Sequence, residues 1–235
     1  MKLLRNPIIL ALDVDSREEA FRIFDPIKSD VGGVKLGPRL VYRYGASFVA
    51  EIAKSAPVFV DNKYFDIPST MVAAVRSSFE AGASLVTVHA MAGREALSEL
   101  ASLEAQLNSI RPFKILAVSI LTSWSQQSFP ENFKDWSVEK HVESLVSLAH
   151  DCGLTGVVCS GHELKTLSRF NGLFTVVPGI RAEEPQHLKT DEDQKRIMTP
   201  AQAMNSGASA LVIGRPILKA EEPKLALKKI LESCK

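Results

Sequence analysis

Three charged residues follow directly on an apolar run in the segment VFVDNKYFDIPST, which spans residues 58–70. Asp61, Lys63 and Asp66 stand within six positions, so two carboxylates flank one ammonium where a buried strand is predicted to end. An ammonium held by carboxylates can stabilise a developing negative charge and deliver a proton to it. Ordinary ion pairs in a solvated loop are the alternative, because a single charge just past a strand is usually of that kind.

Lys35 favours the catalytic interpretation. It lies in GVKLG (33–37), an otherwise apolar run, and a buried ammonium needs a partner or changes its pKa. The predicted partners are Asp13 and Asp61, which end the neighbouring apolar runs. Asp61 and Lys63 are two positions apart, so on an extended chain their side chains face the same side. Because clustered ionisable groups often mark functional sites, the sequence predicts a network of alternating charges around one point.

A second group of candidate residues lies near the end of the chain. FTVVPGIR (174–181) and ALVIGRPI (210–217) each end an apolar run in a glycine turn, and the second adds Gly214 and Arg215. Glycine permits close approach of a ligand to the backbone, and arginine grips phosphate in a bidentate manner. Two loop turns with a surface arginine are the alternative. The combination predicts a phosphate site if the two runs are the last strands of a barrel.

These residues must be positioned by the strands that precede them. Short runs rich in Val, Ile and Leu recur along the chain and are apolar almost throughout, as expected of strands buried on both faces. They lie at residues 7–12, 33–37, 58–61, 84–90, 113–120, 155–160, 174–179 and 210–214. Segments with helical periodicity separate them. Ser16 with Glu19 is typical of a helix start, and Pro68 and Gly82 are typical of a start and a stop.

Eight alternating strand–helix units predict an α/β fold, a single (β/α)8 or TIM barrel that uses residues 1–235 as one domain. A doubly wound open sheet is the alternative, but it rarely needs so many units without a second domain. A barrel brings the carboxyl ends of its strands together, and with them Asp13, Lys35, Asp61 and Thr122.

Two connections, 122–137 and 180–198, are long enough to be lids or binding loops. In the first, Trp124 and Trp136 are expected to pack the loop rather than to stack on a base. His89 ends the fourth apolar run and could line the site, but a hydrogen-bonded core or rim histidine is the more common case.

Composition excludes several classes of function. The chain has 46% hydrophobic and 23% charged residues with a formal net charge of +1, so bulk charge suggests no nucleic-acid partner. No apolar stretch approaches the roughly 20 residues needed to span a bilayer, and the start does not match a secretory signal. Three cysteines without metal-binding spacing predict reduced thiols in a cytoplasmic protein. No His–carboxylate cluster has ligand spacing, which predicts no metal.

Residues 61–68, DNKYFDIP, resemble the D-x-K-x-x-D-I-P signature of the orotidine 5'-phosphate decarboxylase family. Further landmarks of that family follow in order along essentially the whole chain. They are ALD (11–13), VKLG (34–37), ILTS (120–123), PGIR (178–181), DQKRIMTPAQA (193–203) and IGRPI (213–217). D-x-K-x-x-D alone is shared with a wider group of barrels that includes hexulose-phosphate synthases, whereas the full ordered set is highly specific.

The resemblance implies an activity. Members of this family are dimeric barrels that convert orotidine monophosphate to uridine monophosphate and carbon dioxide, the last step of de novo pyrimidine biosynthesis, with neither metal nor organic cofactor. By resemblance, Lys63 donates the proton to C6 of the pyrimidine. The charged array around it consists of Lys35, Asp61, Lys63 and Asp66. In a homodimer, Asp66, Ile67 and Thr70 are expected to reach into the partner subunit's site.

The resemblance also implies the substrate contacts. Asp13 and Lys35 correspond to contacts with ribose hydroxyls, and Thr122 corresponds to a contact with the pyrimidine. The phosphate-binding set consists of Arg181, Gln194, Gly214 and Arg215, with Gln194 on a closing loop. The sequence departs from the family's central motif at Asn62 and Phe65, where a hydrophobic residue and a histidine are common. Neither is a catalytic position.

Two other functions remain open at this point. One is a metal-dependent aldolase similar to hexulose-6-phosphate synthase, against which Ile67-Pro68 and the long loop of Gln194 argue. The other is a catalytically silent barrel that only binds nucleotides or a partner. Loss of Lys63 or Asp66 would be expected in such a protein, and the chain has both.

Overall fold

The structure is a computed structural model that describes residues 3–181 and 197–234. Its strands are parallel and close into a barrel in chain order, each paired with its sequence neighbours and the last with the first. They are β1 (Ile8–Ala11), β2 (Gly33–Leu36), β3 (Val58–Tyr64), β4 (Ala83–His89), β5 (Lys114–Val118), β6 (Gly156–Val158), β7 (Phe174–Val177) and β8 (Ala210–Ile213). The predicted (β/α)8 barrel is therefore confirmed, with every strand at its predicted place.

Helices cover the outside of the barrel. They are α1 (Arg17–Phe24), α2 (Pro38–Ala53), α3 (Pro68–Glu80), α4 (Gly93–Asn108), α5 (Val138–Asp151), α6 (Leu164–Leu167), α7 (Pro200–Asn205), α8 (Arg215–Leu218) and α9 (Pro223–Ser233). The sequence signals for two of them are confirmed. Ser16 Oγ accepts the backbone N–H of Glu19 at 3.1 Å, which caps α1. Pro68 begins α3, and Gly82 follows its end with a φ of 106°.

Alternation along the strands decides which residues reach the site. The barrel interior is filled by Ile9, Ala11, Phe59, Leu85, Leu116, Val176, Ala210 and Val212. Because successive side chains of a strand point to opposite faces, the residue two positions beyond the last inner residue of a strand lies at the barrel mouth. Asp13 stands in that relation to Ala11, Asp61 to Phe59 and Gly214 to Val212. The apolar interior is thus the floor beneath the charged residues.

The connection at 122–137 is held by aromatic packing. The Trp124 ring lies 5.8 Å from the ring of Phe129 and 5.6 Å from that of Phe133, in edge-to-face contact. Trp136 lies 5.3 Å from the His141 ring of α5. Both tryptophans therefore pack the loop, as predicted.

The second long connection is described only at its two ends. The Arg181 N–H donates to the Met198 carbonyl at 3.0 Å, and the Met198 N–H donates to the Gly179 carbonyl at 3.3 Å. These two bonds fasten the base of the connection beside β7. Gln194 lies outside the described residues.

Close packing of β6 against β5 gives a test of the fold. A Cβ added at Gly156 would overlap the backbone carbonyl oxygen of Ile115, so Gly156→Ala must push two paired strands apart. We expect a loss of about 3 kcal/mol in the free energy of unfolding, the upper part of the usual range for overpacking. Gly172→Ala is the matched control, because its Cβ would meet open space and only its φ of 74° is strained. The control should lose about 1 kcal/mol. Urea unfolding that ranks Gly172→Ala as the more damaging change would contradict the close packing.

Candidate active site

The carboxyl ends of the strands surround a cavity of about 770 Å³. That volume lies within the range of small-molecule sites, roughly 300–1,000 Å³. Its polar lining consists of Asp13, Lys35, Arg39, Asp61, Lys63, Thr122, Ser123, Arg181 and Arg215. Apolar residues of the barrel interior, such as Phe59 and Val212, form the floor. The cavity therefore joins charged groups to an apolar base that can contact a flat ring.

Four of the predicted residues form one chain of alternating charges. Lys35 Nζ donates to Asp13 Oδ1 at 2.8 Å and lies 3.7 Å from Asp61 Oδ2. Lys63 Nζ donates to the other oxygen of the same carboxylate, Asp61 Oδ1, at 2.9 Å. Asp61 is thus shared by two ammonium groups. The predicted partnership of Lys35 with Asp13 and Asp61 is present in the structure.

Exposure differs along this chain of charges. The side chains of Lys35 and Asp61 are 11% and 14% exposed, whereas that of Lys63 is 39% exposed. Lys63 therefore presents its ammonium to the cavity while its carboxylate partner stays behind it. An ammonium held in this way is available to a ligand without first losing its counter-ion.

The surroundings of Asp61 favour its ionised form. Burial is the largest single influence and would raise the pKa, but the charges of Lys35 and Lys63 act in the opposite direction. Hydrogen bonds from Lys63 and Thr87 add to them, and together these contacts hold the pKa of Asp61 below its usual range. Asp61 is therefore a carboxylate at neutral pH and forms ion pairs with both lysines.

The backbone of Lys63 is not extended, which corrects one step of the sequence-based reasoning. Its φ is 48°, in the left-handed region that residues other than glycine rarely adopt. Such a conformation costs on the order of 1–3 kcal/mol and persists where surrounding contacts determine it. Asp61 and Lys63 do meet, as predicted. They meet through a distorted strand end rather than through the regular two-residue alternation of a strand.

Asp66, Ile67 and Thr70 lie outside the cavity of their own chain. Asp66 Oδ1 accepts the backbone N–H of Ile67 at 2.7 Å, where α3 begins. All three residues are exposed, and Ile67 is 64% exposed beside a Phe65 side chain that is 59% exposed. One chain alone therefore brings together Asp13, Lys35, Asp61 and Lys63 but not Asp66.

Three of the residues predicted to bind phosphate follow β7 and β8 and line the same cavity. Arg181 follows β7 and is almost completely buried, with Nη1 donating to the Ile180 carbonyl at 2.9 Å. Gly179 has a φ of 78°, which lets the chain turn back at the cavity wall. Gly214 and Arg215 follow β8, and a Cβ at Gly214 would lie 3.3 Å from Ala11 Cβ. Thr122 follows β5 and lines the cavity as predicted.

His89 stands beside the cavity rather than in its lining. Its Nδ1 accepts the Met91 N–H at 3.5 Å, and its ring lies 5.5 Å from that of Phe65. Burial, and then the charge of Lys63, lower the pKa of His89, so the ring is neutral near pH 7. The preferred interpretation of a rim histidine agrees with this position.

Two observations on the described part of the chain concern metal ions and membranes. Within residues 3–181 and 197–234, no three His, Cys, Asp or Glu side chains are grouped so that they could hold a metal ion. None of the helices in the described part of the chain is long and apolar enough to cross a membrane.

Sequence reasoning missed three polar residues of the site, one of which is Ser123 of the cavity lining. Thr87 of β4 is fully buried and hydrogen bonds to both Asp61 and Lys63. Arg39 lines the cavity and donates to Asp15 Oδ1 at 3.1 Å. A signal existed for Thr87, because a hydroxyl in the apolar run SLVTVHA stands two residues beyond Leu85 and so faces the barrel mouth.

Comparisons with known proteins show the family to which the chain is related. Residues 6–230 match the model of the Orotidine 5'-phosphate decarboxylase / HUMPS family. The chain belongs to this family. A protein from Erythrobacter litoralis named Orotidine 5'-phosphate decarboxylase is 41% identical over 229 residues, which are 97% of this chain and 98% of that protein. A protein of the same name from Novosphingobium aromaticivorans is 39% identical over the same shares.

A solved structure extends the comparison to three dimensions. The crystal structure of Orotidine 5'-phosphate decarboxylase from Lactobacillus acidophilus has a TM-score of 0.83 and 30% sequence identity. It matches 97% of this chain and 99% of its own chain. The resemblance inferred from the ordered motifs is therefore confirmed, and the relatives are carboxy-lyases by name.

The ionisation of Asp61 leads to a prediction about stability. An unfolded aspartate has a pKa of about 3.9. Because the folded pKa is lower, stabilisation by the ionised Asp61 is present above that value and is lost as pH falls through the folded pKa. Urea unfolding of wild type and Asp61→Asn should therefore give a difference in unfolding free energy that shrinks from pH 6 to pH 3. A difference that stays constant over this range would contradict the assignment.

Proposed function

We propose that this chain decarboxylates orotidine 5'-monophosphate to uridine 5'-monophosphate and carbon dioxide, as the last step of de novo pyrimidine biosynthesis. In this proposal, residues 1–235 form one catalytic domain that acts in the cytoplasm without metal or organic cofactor. The observation that carries the proposal is the chain of charges from Asp13 to Lys63 at the mouth of the barrel. It occurs in a family whose similar members are named Orotidine 5'-phosphate decarboxylase.

The chemistry requires a fixed cation near C6 of the pyrimidine. Loss of carbon dioxide leaves an electron pair in an sp² orbital that is not conjugated with the ring, so the site must stabilise the charge electrostatically and then supply a proton. Lys63 serves both purposes because its ammonium faces the cavity and is held at 2.9 Å by Asp61. Proton transfer to C6 gives uridine monophosphate and leaves Lys63 neutral until solvent returns the proton.

Asp61 and Lys35 make this ammonium a fixed group. Asp61 holds Lys63 by one oxygen, and Lys35 offsets the carboxylate charge from the other side. A fixed dipole or charge need not reorganise as the negative charge develops, which is the main advantage of a preorganised site. Asp13 holds Lys35 in turn. In this proposal both residues contact the ribose hydroxyls.

The phosphate group gives binding energy away from the reacting atom. Arg181, Gly214 and Arg215 supply the charge and the close backbone approach for it, and Gln194 is proposed to join them from the long connection. Thr122 meets the pyrimidine. Binding energy from a remote group can be used to close a loop and orient the ring over Lys63.

Asp66, Ile67 and Thr70 are proposed to complete the site of a second subunit. Their exposure beside Phe65, on the rim where α3 begins, supports this proposal. A homodimer would cover Ile67 and Phe65 and bring the carboxylate of Asp66 to the partner's Lys63.

One assay separates this function from its rivals. The absorbance of orotidine monophosphate is followed with purified protein before and after treatment with EDTA. Equal turnover in both conditions is expected. Turnover that needs added Mg²⁺, or an aldol reaction with a sugar phosphate, would favour the hexulose-phosphate synthase type of function. Binding of nucleotide without turnover would favour the silent barrel.

The role of Lys63 gives a specific prediction. Lys63→Ala should lower turnover by a factor of at least about 10³, since it removes both the electrostatic stabilisation and the proton source. Uridine monophosphate should still bind, as measured by calorimetry, because phosphate and ribose contacts remain. Lys54→Ala is the control, because Lys54 is an exposed lysine at the end of α2 and should leave both quantities unchanged. Substantial turnover by Lys63→Ala would exclude Lys63 as the donor.

A mixing experiment tests the shared site. Lys63→Ala and Asp66→Ala chains are inactive alone if each site needs both residues. Unfolding and refolding the two together at equal concentration should give mixed dimers with one intact site, and about a quarter of wild-type activity per chain. Refolded homodimers of each variant serve as controls. No recovery of activity in dimers shown to be mixed would mean that Asp66 acts within its own chain or not at all.

A further inference from the structure

We propose that Thr87 is a positioning residue for the reaction, whose hydroxyl fixes the carboxylate of Asp61 and the backbone of Lys63 together. The inference rests on the proposed function, because it concerns the two residues that would act on the substrate. It extends that function to a residue of β4 that does not line the cavity and lies outside the D-x-K-x-x-D-I-P signature at residues 61–68.

Thr87 lies beneath the site on the inner face of the barrel. It is fully buried, two residues beyond Leu85 of the barrel interior, and its neighbours Val86 and Val88 face the helices. A valine of the same shape would satisfy the apolar packing of this position. Burial of an unpaired hydroxyl is costly, so the presence of threonine here must be explained by the hydrogen bonds that its hydroxyl forms.

The Thr87 hydroxyl forms hydrogen bonds with two of the proposed catalytic residues. The Lys63 backbone N–H donates to Thr87 Oγ1 at 2.9 Å, and Thr87 Oγ1 donates to Asp61 Oδ1 at 3.0 Å. A hydroxyl has one proton to donate and can accept in return, so one group serves both partners. The same Asp61 oxygen accepts Lys63 Nζ at 2.9 Å. Backbone, hydroxyl, carboxylate and ammonium thus form a closed ring of contacts.

This ring stands where β3 departs from regular pairing. Val60 pairs with Val86 and Tyr64 with Val88, so four steps along β3 match only two along β4. Thr87 lies between the two paired positions on β4, opposite the irregular segment. The left-handed φ of 48° at Lys63 belongs to that segment. The Thr87 hydroxyl gives its N–H a partner there and so helps to determine the direction of the Lys63 side chain.

The hydroxyl also acts on charge. Asp61 is faced by Lys35 from β2, by Lys63 from its own strand and by Thr87 from β4. The bond from Thr87 is among the contacts that keep the pKa of Asp61 low. Removal of the hydroxyl would therefore loosen the orientation of Asp61 and weaken its hold on the Lys63 ammonium.

Another buried threonine of the barrel serves as a comparison. Thr175 of β7 is also buried and also forms two kinds of hydrogen bond, accepting the Ser209 N–H at 3.0 Å and donating to the Gly207 carbonyl at 3.3 Å. Its partners belong to the turn before β8 and touch none of the proposed catalytic residues. Substitution by valine thus removes a buried, hydrogen-bonded hydroxyl at either position. The two positions differ in the partners that lose their hydrogen bonds.

The test compares Thr87→Val, Thr87→Ser and Thr175→Val in the full chain. Thr87→Val should lower kcat for orotidine monophosphate about ten- to hundredfold, the effect of displacing a reacting group by a fraction of an ångström to one ångström. Its affinity for uridine monophosphate should stay within about threefold of wild type, because the phosphate and ribose contacts are intact. Thr87→Ser keeps the hydroxyl and should retain kcat within about threefold. Thr175→Val should retain kcat while losing thermal stability.

Four outcomes would overturn the role of Thr87 and leave the proposed function standing. They are a wild-type kcat in Thr87→Val, an equal loss in Thr87→Ser, an equal loss in Thr175→Val, and a loss confined to nucleotide affinity. If Thr87→Val does not fold, Thr87→Ala is compared with Thr87→Ser in the same way. A wild-type protein that does not turn over orotidine monophosphate would instead overturn the proposed function, and with it this role. The two failures are therefore distinguishable.

Discussion

Two ammonium groups share one carboxylate at the mouth of this barrel, and the remainder of the site depends on that interaction. Asp61 receives Lys63 on one oxygen at 2.9 Å and Lys35 on the other at 3.7 Å. Without Asp61, the two ammonium groups would lose their shared counter-ion in a partly buried space, where an unpaired charge is costly. With it, both are paired, and Lys63, the more exposed of the two, faces the cavity. An array of this kind can stabilise negative charge as it develops, because its own charges are already in place.

The barrel explains how such an arrangement is held. Apart from Thr87, the inward side chains beneath the site are apolar and packed together, so the strands cannot shift without opening the interior. Each charged residue comes from a different strand end or, for Lys63, from the distorted end of β3. Strain at the Lys63 backbone is tolerated because Thr87 on the neighbouring strand provides a hydrogen-bond partner. The rigid interior and the irregular end of β3 therefore act together to fix the direction of the Lys63 ammonium.

Much of this could be predicted from sequence, for identifiable physical reasons. The eight strands were predictable because a strand buried on both faces must be apolar almost throughout, and Lys35 stood out against such a run. Its partners followed from the meeting of strand ends in a barrel. The left-handed turn at Lys63 could not be predicted, because it results from pairing between β3 and β4 and leaves no glycine in the sequence. Thr87 was overlooked because threonine is common in strands and its importance depends on which groups lie opposite.

The proposed mechanism requires Lys63, held by Asp61, to meet C6 of a pyrimidine nucleotide. A crystal structure of the chain with bound uridine monophosphate measures this directly. We expect the phosphate against Arg215 and Arg181, the ribose beside Asp13 and Lys35, and Lys63 Nζ within about 3.5 Å of C6, the separation of atoms poised to react. A nucleotide bound with its pyrimidine away from Lys63, or with its phosphate at another part of the cavity, would contradict the proposed role of Lys63.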